Sequence, residues 1–150
     1  MKKIKEELYH QCELFVEDRL HRIRNRIANI QESLGSETKS TAGDKHETGR
    51  AMLQLEREKA GVQLAEAQNL QILLAKIDVS SSSEVIRLGS LVKTSQGNYF
   101  ISISVGKITV ENEFYFAIAP NTPIGKLLLG KKTSDHFNFN EKQYIIQKIA

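Results

Sequence analysis

The sequence predicts an α+β protein: an N-terminal antiparallel coiled-coil helical hairpin followed by a small β-rich domain. Three observations predict it. Apolar residues recur at helical spacing through the first half of the 150-residue chain. Short β-type segments between Gly, Asn and Pro turns fill the second half. Between the two stands the serine run Val79-Ser80-Ser81-Ser82-Ser83. The organisation expected is a hairpin over 1–78, a linker over 79–84, where a serine-rich stretch loses little by staying flexible, and a β-rich domain over 85–150.

The first helix is expected from Lys3 to Leu34, a stretch without Gly or Pro. Ile4, Leu8, Cys12, Val16, Leu20, Ile23, Ile27, Ile30 and Leu34 form its apolar stripe. From Leu20 onward the steps alternate three and four, the seam of a coiled coil. So narrow a stripe fits packing on one partner helix. Gly35 is placed as the stop, and the polar stretch Ser36 to Gly43 as a turn. The second helix is expected over Asp44 to Ile77, with two competing stripes. One is Leu53, Ala60, Leu64, Ala67 and Leu74; the other is Met52, Leu55, Val62, Leu73 and Ile77. At ~1.5 Å per residue, helices of this length span about 45 Å. The short polar connection favours pairing within one chain; a parallel homodimer would leave the break at 35–43 without a purpose.

In the second half, Glu84 to Thr94, Asn98 to Val105, Lys107 to Val110, Phe114 to Ala119, His136 to Asn140 and Tyr144 to Ile149 read as strands. Gln96-Gly97-Asn98 and Asn140-Glu141-Lys142 read as hairpin turns. Phe137 and Phe139 fall on one face of their strand. Between Thr122 and Gly130 lies one short helix, with Pro123 suited to its first turn and Gly130 to its end.

Composition narrows the function. The hydrophobic fraction is 40% but aromatics are only 7%, which argues against a large aromatic ligand pocket. The formal net charge of +3 is too mild to imply nucleic-acid binding by itself. Residues 1–78 carry 13 Lys/Arg and 13 Asp/Glu, and residues 79–150 carry 8 and 5, so the excess sits in the second half. The single cysteine, Cys12, excludes an intrachain disulfide and multi-cysteine zinc motifs, and fits a reducing compartment. The N-terminus lacks the apolar core of a signal peptide, and no apolar run approaches the ~18 residues of a membrane span. A cytoplasmic, membrane-free protein is expected.

Few residues carry chemistry of their own. Asp44 and Glu47 lie three apart and share a helix face. They form either a capping box that starts the second helix or a pair of oxygens able to join a metal shell supplied by a partner. His46 lies between them. Arg19, Arg22, Arg24 and Arg26, with His21, make a basic run: either a solvated face balanced by Glu13, Glu17 and Asp18, or a phosphate contact. The four histidines are scattered in no zinc-binding pattern. No nucleophile elbow, phosphate loop or dinucleotide fingerprint occurs, so stand-alone catalysis has little support.

One segment carries a family resemblance. Thr122-Pro123-Ile124-Gly125-Lys126-Leu127-Leu128-Leu129-Gly130-Lys131 resembles the Ser-Pro-aliphatic-small-basic-x-Leu-aliphatic-Gly-Lys signature of bacterial Gre-type transcript cleavage factors. Asp135 falls where that family has the Asp of a Gly-Asp pair, with Ser134 in place of the Gly. Gly43-Asp44-Lys45-His46-Glu47 resembles the Gly-Asp-x-x-Glu at the end of the family's coiled-coil arm. The order of parts also matches, and the resemblance covers nearly the whole chain. Two stretches differ. After the Glu the family has Asn, a small residue, an acid and Tyr, where this chain has Thr48, Gly49, Arg50 and Ala51. Its Val-Gly-x-x-Glu-Ala-Asp is met here by Val105-Gly106-Lys107-Ile108-Thr109-Val110.

The resemblance implies that the second domain is FKBP-like and docks on bacterial RNA polymerase, with Pro123, Ile124, Gly125, Lys126, Gly130 and Lys131 as docking residues. It implies that the coiled coil enters the polymerase's secondary channel. There Asp44 and Glu47 would share a Mg²⁺ with the polymerase active site, no cofactor being bound by the chain alone. Arg19, Arg22 and Arg26 would contact the nascent RNA. The chain would then be a monomeric transcription elongation factor rather than an enzyme, stimulating the polymerase's own cleavage of backtracked RNA. Arg50 and the absent acid and aromatic point to an alternative, a secondary-channel regulator that does not promote cleavage. A third reading is an FKBP-like prolyl isomerase or chaperone, against which stand the absence of Trp and the scarcity of aromatics for a proline pocket.

Overall fold

The structure, a computed structural model, describes residues 1–39 and 43–150, with side chains described outside 37–47. Its architecture is α+β. Two long helices, α1 (Lys2–Lys39) and α2 (Gly43–Ala75), precede a six-stranded sheet and one short helix. By packing, the chain forms two compact units: Val16–Leu70, and Met1–Phe15 together with Gln71–Ala150.

The stripe on α1 is buried as its spacing requires. Leu8, Cys12, Val16, Leu20, Ile23 and Ile30 are buried, and Ile4, Ile27 and Leu34 are half-buried. Gly35 does not stop the helix, which continues to Lys39. A glycine ends a helix by adopting a left-handed conformation. Gly35 does not do so, and inside a helix glycine costs only about 1 kcal/mol relative to Ala. On α2 one of the two stripes prevails. Ala60, Ala67 and Leu74 are buried, with Leu53 and Leu64 half-buried. Of the other stripe, Ile77 is buried but Met52, Leu55 and Val62 are exposed. A helix in a two-helix hairpin has one partner and buries one face. The pairing is antiparallel: Arg26 Nη2 donates to Gln63 Oε1 at 2.7 Å in one unit, and Tyr9 Oη to the Leu74 carbonyl at 2.9 Å in the other.

The sheet comprises β1 (Leu91–Thr94), β2 (Asn98–Ile101), β3 (Gly106–Val110), β4 (Glu113–Ile118), β5 (His136–Phe139) and β6 (Lys142–Ile149), in the order β3-β4-β2-β1-β6-β5. Only β2 and β4 pair in parallel. Two-residue turns close β3–β4 and β5–β6, with positive φ at Glu111 and Asn112 and at Asn140 and Glu141, as such turns require. Two strands are shorter than the sequence predicts. The chain turns at Arg87–Ser90, where Ser90 N donates to Arg87 O and Gly89 takes φ +92°, so β1 begins only at Leu91. After Ile101 it turns again, with Val105 N bonded to Ile103 O.

One face of the sheet packs against α3 (Pro123–Leu128) through Val92, Tyr99, Ile101, Tyr144 and Ile146 with Leu128. Opposite, Leu91, Phe100, Tyr115 and Ala117 are fully buried, and Ser102 Oγ lies 3.5 Å from the Cys12 Sγ of α1. Burial pushes the Cys12 thiol up. Thr122 caps α3: its Oγ1 accepts from Gly125 N at 3.1 Å and donates to Ala119 O at 2.7 Å. Gly125 is there because nothing larger fits. A Cβ at that position would stand 2.5 Å from Ala119 O and 2.7 Å from Thr122 Oγ1.

The serine run is hydrogen-bonded. Asp78 accepts from Ser80 N and Oγ, Arg87 donates to Ser81 Oγ, and Lys5 donates to Ser81 O at 2.8 Å. Lys5 is buried; loss of water, reinforced by the nearby Arg87 charge, lowers its pKa, with Asp78 opposing.

Two outcomes follow. Gly125→Ala loses about 2–3 kcal/mol of stability, as overpacking against fixed backbone does, read from urea unfolding midpoints. Lys5 binds its proton less tightly folded than unfolded, so stability rises with pH as Lys5 deprotonates in the folded state below its unfolded value of 10.5. Wild type therefore gains stability relative to Lys5→Met between neutral pH and pH 10, measured by paired urea titrations.

Candidate functional site

Helical spacing and the antiparallel pairing build the clearest polar site. Arg19, Arg22 and Arg26 fall at i, i+3 and i+7 of α1 and so share a face. That face adjoins Gln63 and Glu66 of α2, and together with Ile23 these residues line a groove of about 400 Å³. Arg26 is held by Gln63, and Arg22 by Asp18 at 3.0 Å. The groove presents three guanidinium groups and one carboxylate. Guanidinium forks match the oxygens of a phosphate, and Ile23 gives the floor an apolar centre. Of the wider basic run, His21 is hydrogen-bonded to Asn25, and neither His21 nor Arg24 lines the groove. Gln63 and Glu66 were invisible to a reading of the basic run alone, because only the hairpin register brings them there.

Asp44 and Glu47 lie in the first two turns of α2, just after the connection between the helices. Their side chains fall outside the described residues, as does that of His46. Among the described residues, no three His, Cys, Asp or Glu side chains converge as a metal site would require. Arg50, which follows the acids, is half-buried.

The signature residues have structural employment around α3. Pro123 occupies the first turn after the Thr122 cap. Ile124 packs on the core beside Leu128, and Gly125 makes the close approach described above. Lys126 is exposed. Gly130 takes φ +82° and donates to Ile86 O, while Lys131 O accepts from Ile86 N. Lys131 Nζ stands 5.5 Å from the centre of the Phe137 ring. Asp135 Oδ2 accepts from Lys132 N at 2.7 Å, and Ser134 adopts φ +77°, a backbone state that glycine occupies at less cost.

Two exposed aromatics lie outside the residues that the sequence pattern singles out. Phe114 and Phe116 stand on the outer part of the sheet beside Lys107. The signal was present in the alternation of Glu113-Phe114-Tyr115-Phe116, in which one of two aromatic faces has to point away from the core.

No protein-family model and no curated protein matches this chain. No helix among the described residues is long and apolar enough to cross a membrane.

Exposed guanidinium groups contribute little to folding. The triple variant Arg19→Ala/Arg22→Ala/Arg26→Ala is therefore expected to unfold within about 1 kcal/mol of wild type, checked by urea denaturation.

Proposed function

We propose that this protein is an accessory factor of bacterial RNA polymerase that promotes hydrolysis of backtracked RNA. The observation that carries this reading is the conjunction of two motifs in one chain. A hairpin has Asp44 and Glu47 immediately after its turn, and a β-rich unit has the segment Thr122–Lys131 followed by Asp135. In this reading the second unit holds the polymerase and the hairpin enters its secondary channel. Asp44 and Glu47 supply carboxylate oxygens to a Mg²⁺ that the polymerase already holds. Two carboxylates bind Mg²⁺ poorly alone, since the ion keeps several waters and favours sites completed by other ligands. Asp44 and Glu47 would hold that ion together with the polymerase's own ligands, and the ion would supply metal-assisted activation of water there. Arg19, Arg22 and Arg26 hold the phosphates of the RNA 3′ segment, the role for which the groove is chemically suited. The bond cleaved and the active site belong to the polymerase, so the chain is not an enzyme by itself.

A second reading has an observation of its own. Arg50, one turn beyond Glu47, places a cation where the resembled family has an acid. A factor that enters the channel without supporting cleavage would slow nucleotide addition instead.

The test is a backtracked elongation complex of the cognate polymerase with Mg²⁺. Adding the protein is expected to shorten the RNA from its 3′ end, and Asp44→Ala to reduce the rate by about 10²-fold or more while binding to the polymerase persists. Binding with slowed elongation and no shortening selects the second reading. Unchanged cleavage by Asp44→Ala removes the role given to the acids.

A further inference from the structure

The sheet face that packs on α3 is covered unevenly. Register places Lys107 opposite Phe116 and Thr109 opposite Phe114 on β3 and β4, and Tyr99 of β2 beside Phe116. All five lie on the face that carries Tyr99. Toward β6 and β5 this face is closed: Tyr99 packs at 6.5 Å from Tyr144, which stacks at 5.0 Å on Phe137, and Leu128 of α3 joins the same core. Toward the β3 edge it is open. Phe114 is 53% exposed and Phe116 37%. Phe116 is paired with strands on both sides of β4, and Phe114 is paired with Thr109 of β3 and accepts at its carbonyl from the Asn98 side chain, so the two rings are presented on a rigid element. The Phe116 ring also leans on Tyr99 at 5.9 Å.

Lys107 supplies the polar half of the patch. Its ammonium sits 3.6 Å from the centre of the Phe114 ring, and none of the salt bridges found among the described residues involves it. The nearby Glu113 is engaged by Lys93 at 3.5 Å and by the Tyr115 hydroxyl at 2.9 Å. Burial, with that bond, pushes the Tyr115 hydroxyl up to about 12. Among the described residues, the patch is thus two exposed rings beside a cation without a carboxylate partner.

We propose that Phe114, Phe116 and Lys107 form the surface by which this unit grips the polymerase, receiving a protein ridge with an apolar side chain for the rings and a carboxylate for Lys107. The proposal rests on the polymerase reading above and names the surface that reading requires. Aromatic anchors on rigid elements, rimmed by a charge, are what carries binding energy at protein interfaces. A nucleic-acid strand fits less well: the ammonium already occupies one face of Phe114, where a base would stack, and a single cation does not follow a phosphate backbone.

The experiment measures affinity for purified cognate polymerase. Phe114→Ser/Phe116→Ser is expected to weaken binding about 10-fold or more, and Lys107→Glu to weaken it and reduce its salt dependence. Ile145→Ser, at an exposed apolar site on β6, is expected to leave affinity unchanged. Circular dichroism and urea midpoints confirm that each variant is folded; if the double variant is not, Lys107→Glu and Lys107→Met alone decide, with binding weakened by the first and much less by the second. Wild-type affinity in folded Phe114→Ser/Phe116→Ser and in Lys107→Glu overturns the surface while leaving the polymerase reading in place. Failure of the wild type to bind polymerase at all overturns both. Binding of single-stranded RNA that is lost in the double variant assigns the patch to nucleic acid and overturns the protein occupant.

Discussion

A single apolar stripe along α1 is the constraint on which the rest depends. Its residues from Ile4 to Leu34 keep one face turned inward, toward α2 and, at Cys12, also toward Ser102 beside the sheet. The partner answers with Ala60 and Ala67, residues small enough to let two helix backbones approach closely. Once these seams are matched the register follows. Arg26 stands beside Gln63 in one unit, and Tyr9 beside Leu74 in the other. The same register turns three arginines of one helix toward Gln63 and Glu66 of the other. The groove is therefore a by-product of the seam, and Met52, Leu55 and Val62 remain outside because the seam has no second side.

The residues of the β-rich unit that resemble a known signature are, in the first instance, a folding device. Thr122 ties down both the entry to α3 and the preceding carbonyl. Pro123 supplies a fixed φ at the first turn, and Gly125 lets two carbonyls come within a distance that no side chain tolerates. Gly130 and Lys131 then clip the end of the helix to Ile86 at both its N–H and its carbonyl. Asp135 closes the next turn on Lys132. Ser134 stands at a left-handed backbone position where the resembled signature has Gly, which explains why that position carries Gly in the signature and what the serine here costs. Such a segment serves the shape of the unit, and a binding surface need not coincide with it.

The helices and turns were legible because their causes are local. A three-four repeat, a two-residue turn after His136-Phe137-Asn138-Phe139, and a Thr-Pro start with a Gly finish each act within a few residues. The misreadings share a physical origin. Gly35 reads as a stop because glycine weakens helices, but a glycine stop takes a left-handed conformation, and Gly35 does not adopt one. Glu84 to Thr94 reads as one strand because its composition is β-like, yet a Cβ at Gly89 would stand 3.0 Å from Ile77 Cγ2 and the chain folds over at Arg87–Ser90. The parallel β2–β4 pairing had no local cause at all: β3 must leave, become the edge and return, and nothing in Asn98 to Val110 encodes where the strands will meet. The exposure of Phe114 and Phe116 has the same standing, since which face of β4 is buried is decided by Phe100 and Ile108 across the sheet.

On the proposed reading the charged groups of the molecule serve by delivery rather than by attraction. The arginines of the groove are already engaged: Arg22 with Asp18, Arg26 with Gln63, and Glu66 lines the same wall. A phosphate entering the groove has to displace or share these partners, so its net gain is small, and the mild overall charge adds little long-range pull. Two carboxylates after a hairpin turn are likewise too few to retain Mg²⁺ in water. Sites this weak become effective only when held near their targets, where the local concentration reaches the millimolar range set by a short tether. On the proposed reading a rigid apolar patch would meet that requirement, because affinity that comes from area and shape survives at salt concentrations that screen charge. On the proposed reading the division of labour is thermodynamic: one surface supplies the free energy of association, and the hairpin's charged groups act at the polymerase without having to bind anything unaided.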